Sequence, residues 1–179
     1  MRLFYAIEFD EETRNILLRE QGKIKSRAIK ANFTRRENLH LTLRFMGEIE
    51  SMYLPVLRKI QDYVTGRSVP FKLILSGPGV FVRGHKSIVW WGIRNEDHLI
   101  DMQKNMEEEI RRNGFPKEVK PYTPHITLAR ELVSNENIKD VIKGLQPLNH
   151  TVEVKGISLM ESTRVNGVLT YISRYCTWL

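Results

Sequence analysis

The sequence predicts an α+β fold, and three observations carry that reading. Runs rich in β-branched and aromatic residues interleave with longer stretches whose apolar residues recur at helical spacing. The connections are mixed. Some runs are separated by a helix, whereas Val165-Asn166-Gly167 joins two runs as a tight hairpin, which does not suit a strictly parallel sheet. The chain has 179 residues, 41% of them hydrophobic, enough for one large domain or two small lobes around a shared core without covalent staples.

A first strand is expected at 2–9. Asp10 can cap a helix whose first turn holds Glu11 and Glu12, acids that favour the positive end of the helix dipole. Ile16, Leu17, Ile24 and Ala28 are its expected inner residues. A strand follows at 39–46. Ser51 then caps a helix in which Leu54, Leu57, Ile60 or Gln61, and Val64 form the stripe. Strands at 70–76 and 87–93 precede a third helix, 97–113, carrying Leu99, Met102, Met106 and Ile110 inward. Gly114 and Phe115 suit a left-handed C-terminal cap with its apolar contact. A strand at 125–130, a short helix at 136–144 and strands at 151–161 and 168–176 complete the order.

The apolar runs are far too short for a membrane-spanning helix. The opening stretch meets acid at Glu8 and reads as a strand rather than a signal peptide. A single cysteine, Cys176, rules out an intrachain disulfide framework and any multi-cysteine metal site. A cytoplasmic monomer is the expectation. The net charge is +7, and the segment Arg14–Arg44 alone holds nine basic and two acidic residues. A positive field of that kind attracts polyanions, RNA among them.

The informative feature is a pair. His40-Leu41-Thr42-Leu43 and His125-Ile126-Thr127-Leu128 share the form His-aliphatic-Thr-Leu in a chain with only 5 His. On a strand, the His and Thr of each motif share one face, with Cβ atoms about 6.5–7 Å apart. Two such strands brought together present two imidazoles and two hydroxyls to one space. Imidazoles supply a general base and a general acid near neutral pH, and hydroxyls bind phosphate oxygens. No nucleophilic side chain accompanies them, which suits in-line attack of water or a hydroxyl at phosphorus. A His-His-carboxylate zinc site drawing on the nearest acids, Glu37, Glu48 or Glu131, is the rival reading, although no metal-ligand motif is present.

These motifs resemble those of the 2H phosphoesterase superfamily, named for two His-x-Thr/Ser-x motifs. The closer resemblance is to the bacterial and archaeal RNA 2′,3′-cyclic phosphodiesterases, also called 2′-5′ RNA ligases. It extends over nearly the whole chain. It includes the opening Arg2-Leu3-Phe4-Tyr5-Ala6-Ile7, the blocks Glu37–Glu48 and Pro124–Arg130, and Leu159-Met160-Glu161-Ser162 with Gly167 and Tyr171. The resemblance implies one catalytic domain over residues 1–179. It would be built from two intertwined, pseudo-twofold lobes whose antiparallel sheets form a cleft, with helices outside and one motif in each lobe. It also implies opening of a 2′,3′-cyclic phosphate at an RNA end to a 2′-phosphate, with joining of RNA ends through a 2′-5′ bond. No metal and no nucleotide cofactor is implied. The partner would be RNA with cyclic phosphate ends, tRNA fragments among the candidates.

Carried over by position, His125 is the base that activates water and His40 the acid that protonates the departing oxygen. Thr42, Thr127 and Arg130 bind the phosphate, a task that suits a guanidinium fork. Two other readings stay open: a phosphodiesterase for another cyclic phosphate, such as ADP-ribose 1″,2″-cyclic phosphate, and a non-catalytic module that binds RNA ends. The segment Phe81–Ser87 lacks a proline expected after Phe81, and Arg35 and Arg36 stand where neutral residues are expected. Strand parity places Phe45 with Leu41 and Leu43 in the core. His85, His98 and His150 are expected at the surface, Trp90 and Trp91 on opposite faces of a strand, and Glu107-Glu108-Glu109 on a solvated helix face.

Overall fold

The computed structural model describes residues 1–94 and 97–179. Its elements are β1 (Arg2–Glu8), α1 (Glu11–Lys25), β2 (Lys30–Phe33), β3 (His40–Glu48), α2 (Leu54–Thr65), β4 (Phe71–Arg83), β5 (Lys86–Ile93), α3 (Asp97–Arg112), β6 (His125–Val133), α4 (Ile138–Lys143), β7 (Thr151–Val154), β8 (Gly156–Val165) and β9 (Val168–Trp178). The strands form two sheets, ordered β3-β1-β8-β9 and β2-β6-β5-β4-β7, and every pairing is antiparallel. The fold is thus α+β, with one motif histidine opening β3 in the first sheet and the other opening β6 in the second.

The two motif strands are reached in the same way. β1 and α1 precede β3, which pairs antiparallel with β1; β5 and α3 precede β6, which pairs antiparallel with β5. The helices are exchanged between the sheets. α1, which follows β1, lies against β6, and α3, which follows β5, lies against β3 beside α2. The main apolar core runs through both sheets, from Leu3, Tyr5 and Leu41 to Trp91, Ile126 and Leu128.

Local chemistry explains most helix ends. Asp10 caps α1 by accepting the Thr13 N–H at 2.8 Å. The inner face of α1 is Thr13, Leu17, Gln21 and Ile24, while Ile16 is half-buried and Ala28 lies beyond the helix. Ser51 opens a short 3₁₀ turn, Ser51–Tyr53, and makes no side-chain cap; α2 begins after it with Pro55 in its first turn. α3 buries Leu99, Met102, Met106 and Ile110. Gly114, at φ +83°, follows it, with the Phe115 N–H on the Ile110 carbonyl (3.1 Å) and the Gly114 N–H on that of Arg111 (3.0 Å).

Three strands depart from expectation. β2 lacks β-branched residues and forms because β6 offers it an edge. β4 continues past residue 76 through Gly77-Pro78-Gly79. β7 covers β4 only over Phe71–Ile74, so Pro78 breaks no ladder on that side. Gly79 is required there because a Cβ would enter the Trp90 indole. The expected strand 151–161 is split at Lys155, where the chain crosses from β4 in one sheet to β1 in the other. Gly156 allows the crossing, since a Cβ there would collide with the Thr177 carbonyl.

Candidate active site

Both motif strands are bulged at the same place. In β3 the pairing with β1 passes from Thr42 to Arg44, skipping Leu43. In β6 the pairing with β5 passes from Thr127 to Ala129, skipping Leu128. A bulge at the fourth motif residue shifts the alternation by one position. His, Thr and the residue five after each His therefore face one side, and both strands begin with the same alternation of half-buried and buried residues. Arg130 is brought to the cleft in this way, and so is Phe45, which is 42% exposed rather than in the core. The Leu128 carbonyl faces β2 and accepts the Thr34 N–H (2.9 Å) and the Gln21 side-chain amide (2.9 Å).

The two imidazoles are held alike. His40 Nδ1 lies 2.7 Å from the Asn38 carbonyl, and His125 Nδ1 lies 2.7 Å from the Thr123 carbonyl. A carbonyl only accepts, so Nδ1 carries the proton in both rings and Nε2 is the functional nitrogen. His40 Nε2 meets the Thr42 hydroxyl at 2.9 Å. Thr42 is thus engaged with its own histidine, while Thr127 accepts from Arg130 Nη2 at 3.5 Å. Asn38 is buried and grips β9, donating to the Leu169 carbonyl (2.9 Å) and accepting the Tyr171 N–H (3.1 Å). Each ring also has two aromatic neighbours. Phe4 and Tyr171 lie 4.9 and 5.2 Å from His40, and Phe81 and Trp90 lie 5.3 and 5.9 Å from His125. Trp91, on the opposite face, is fully buried, as parity requires.

These surroundings lower both imidazole pKa values. Desolvation is the main cause at His40 and carries it to about 4, with the positive Arg130 and His125 adding to the effect and the Asn38 carbonyl opposing it. His125 is also lowered, mainly by desolvation and further by Arg130, against its Thr123 bond.

His40, Thr42, His125 and Arg130 line one cleft of about 790 Å³, whose outer wall includes Arg2, Ser162, Arg164 and Leu169. The charge is not where the sequence places it. Six of the nine basic residues between 14 and 44 are ion-paired: Arg14, Lys23, Arg27, Arg35, Arg36 and Arg44. Arg2, Arg130 and Arg164, all in the cleft, have no carboxylate partner among the described residues. Glu131 pairs with Lys86. No group of three or more His, Cys, Asp or Glu side chains able to hold a metal occurs among the described residues.

The two strands are tied across the cleft. Tyr122, just before β6, donates to the Thr42 carbonyl at 3.0 Å. Buried Arg44 sets Nε 2.8 Å from Glu107 of α3 and donates to the Pro116 carbonyl at 2.7 Å. Glu107 is therefore an inward ion-pair partner, not part of a solvated face. His150 is half-buried against the Thr13 hydroxyl (2.9 Å), whereas His85 and His98 are exposed.

Such a site, two imidazoles and a guanidinium in a cleft between antiparallel sheets, suits displacement at phosphorus, and the comparisons agree on its class. The LigT-like phosphoesterase family matches residues 7–91 and again 92–170, one motif in each match, and the chain belongs to that family. Its relatives include the RNA 2′,3′-cyclic phosphodiesterase of Methanothermobacter thermautotrophicus, 30% identical over 95% of this chain and 91% of the relative. Another, of the same name, comes from Methanocaldococcus jannaschii, 30% identical over 91% of this chain and 92% of the relative. The crystal structure of E. coli LigT complexed with 3′-AMP superposes with a TM-score of 0.83, at 27% identity, covering 99% of this chain and 97% of that one. The crystal structure of a Thermus thermophilus protein shares the fold with a TM-score of 0.87 at 24% identity, covering 100% of this chain and 98% of that one. No helix among the described residues is long and apolar enough to cross a membrane.

Proposed function

We propose that this cleft opens 2′,3′-cyclic phosphates at RNA ends, leaving a 2′-phosphate, and that the whole chain acts as one catalytic domain of two intertwined lobes. One observation carries the reading. Two histidines, each locked at Nδ1 by the carbonyl two residues upstream, turn Nε2 into a cleft that also holds Arg130. Family membership and the relatives' names support it.

His125 Nε2 takes a proton from water as the water oxygen attacks phosphorus. The P–O3′ bond breaks, and His40, protonated, gives its proton to O3′ while the bond to O2′ stays. Arg130 and the Thr127 hydroxyl hold the non-bridging oxygens as charge builds on them. The Thr42 hydroxyl leaves His40 to join them when substrate enters. With a 5′-hydroxyl in place of water, the same displacement joins two RNA ends through a 2′-5′ bond.

The test is incubation with an oligoribonucleotide ending in a 2′,3′-cyclic phosphate, with the product identified by phosphate position. A 2′-phosphate is expected. A 3′-phosphate product, preferred turnover of ADP-ribose 1″,2″-cyclic phosphate, or tight binding without turnover would each overturn the proposal.

A further inference from the structure

The first sheet carries a second row of functional groups that leads away from the histidines. Phe4, Ala6 and Met160 form a small apolar cluster with Tyr171 on the cleft floor. Alternation along β1 puts Arg2 on the same face as Phe4, and alternation along β8 puts Ser162 and Arg164 on the same face as Met160. All three line the cleft. The antiparallel register, Leu3 opposite Glu161, sets Arg2 next to Ser162. At strand rise, Arg2 stands about 7 Å from Phe4 along β1, and Arg164 about 13 Å from Met160 along β8.

Both arginines are exposed, and neither has a carboxylate partner among the described residues. Glu161, the acid nearest to Arg164 in β8, is matched to Arg174. Their positions are fixed by neutral contacts. The Arg2 guanidinium lies over the Phe45 ring, 5.0 Å from its centroid, and Arg164 donates to the Gly167 carbonyl at 2.6 Å across the hairpin turn. A guanidinium held by a ring or a carbonyl keeps its charge and most of its donors for an anion. The cleft lining contains no acidic residue, so the row carries an uncompensated positive charge.

We infer that Arg2, Ser162 and Arg164 form a track for the backbone phosphates of the nucleotides next to the reacting end, making the protein selective for RNA chains over cyclic mononucleotides. The inference rests on the proposed reaction and extends it from the terminal group to the polymer. A mononucleotide has only the phosphate held at Arg130 and none for the track. An oligonucleotide spans both.

The experiment compares the wild type with the Arg2→Gln/Arg164→Gln double variant on a cyclic mononucleotide and on a decamer ending in a 2′,3′-cyclic phosphate. The variant is expected to raise KM severalfold for the decamer and to leave the mononucleotide unchanged. Binding of an unreactive decamer ending in a 3′-hydroxyl, read by fluorescence anisotropy against salt, should lose about 1.4 from its log–log slope, about 0.7 for each cation removed. Arg164→Lys should keep that share of the slope, separating charge from any change in the hairpin. Equal losses on both substrates, or an unchanged slope in the double variant, would overturn the track. If the wild type opens neither substrate, the proposed reaction fails, and the anisotropy still decides whether the track exists.

Discussion

Phe45 and Arg130 occupy equivalent positions in the two sheets, each five residues after a motif histidine and each turned into the cleft by a bulge. The equivalence is geometric but not chemical. One strand offers an aromatic ring and the other a guanidinium, so a cleft built from two similar halves has a direction. The cation marks the His125 side for phosphate, while the ring on the His40 side carries the Arg2 guanidinium over its face. In the proposed mechanism His125, on the cation's strand, is the base and His40 the acid.

Replacing either histidine should expose this division of work. His40→Ala and His125→Ala should each lower kcat by roughly 10²–10⁴, the range for loss of a positioned acid or base. The double variant should lose far less than the product of the two. Steady-state kinetics with folding checked by circular dichroism measures both, and wild-type turnover in either single variant would refute the pair.

The pH dependence follows from the lowered imidazole pKa values. In the proposed mechanism a competent pair carries one proton, so kcat/KM should fall on both sides of an optimum. Unperturbed imidazoles would place it at about pH 6–7.5. Burial lowers both rings, His40 to about 4, so the optimum of kcat/KM in the free enzyme should lie below pH 6.5. Bound phosphate is negative and raises both values, so the kcat profile should be displaced toward higher pH. A kcat/KM that climbs steadily from pH 6 to 10 would point to a different nucleophile.

In the proposed mechanism the histidines supply both proton transfers, so turnover should survive EDTA. An assay in chelator, followed by addition of Zn²⁺ or Mn²⁺, checks this; activity lost and then restored by metal would contradict the two-histidine scheme.

Arg44 lies outside the cleft chemistry, yet it ties β3 to α3 and to the segment before β6. Arg44→Met should leave the partly buried Glu107 without its cation and destabilise the fold by about 3 kcal/mol. At temperatures where the variant is folded, kcat should fall more than KM rises, since the spacing of the two motif strands depends on the clamp. Urea unfolding and kinetics on the same preparation test both parts.

The motif pair, the helix stripes and the Gly114 and Asn166-Gly167 turns were legible in the sequence because each rests on local chemistry. Alternation, a capping carboxylate and a residue at positive φ act within a few positions of one another. The bulges at Leu43 and Leu128 were not legible, because nothing in His-aliphatic-Thr-Leu marks a skipped residue. Hence parity sent Phe45 to the core, while Arg130 came to the cleft only through the resemblance. The same limit hid β2, the crossing at Lys155 and the ion pairs that neutralise the basic segment. Partners such as Arg27 and Glu136, or Arg44 and Glu107, are brought together only by the tertiary fold.

The exchange of α1 and α3 between the sheets has a consequence for how the chain can be divided. The two family matches, 7–91 and 92–170, look like separable modules, but each half holds the cover for the other half's apolar face. A break between β5 and α3 should therefore give two fragments that are insoluble or unfolded alone and regain activity when refolded together. The sequence repeats, and if the interlocked pair is the folding unit, a single unfolding transition should report it.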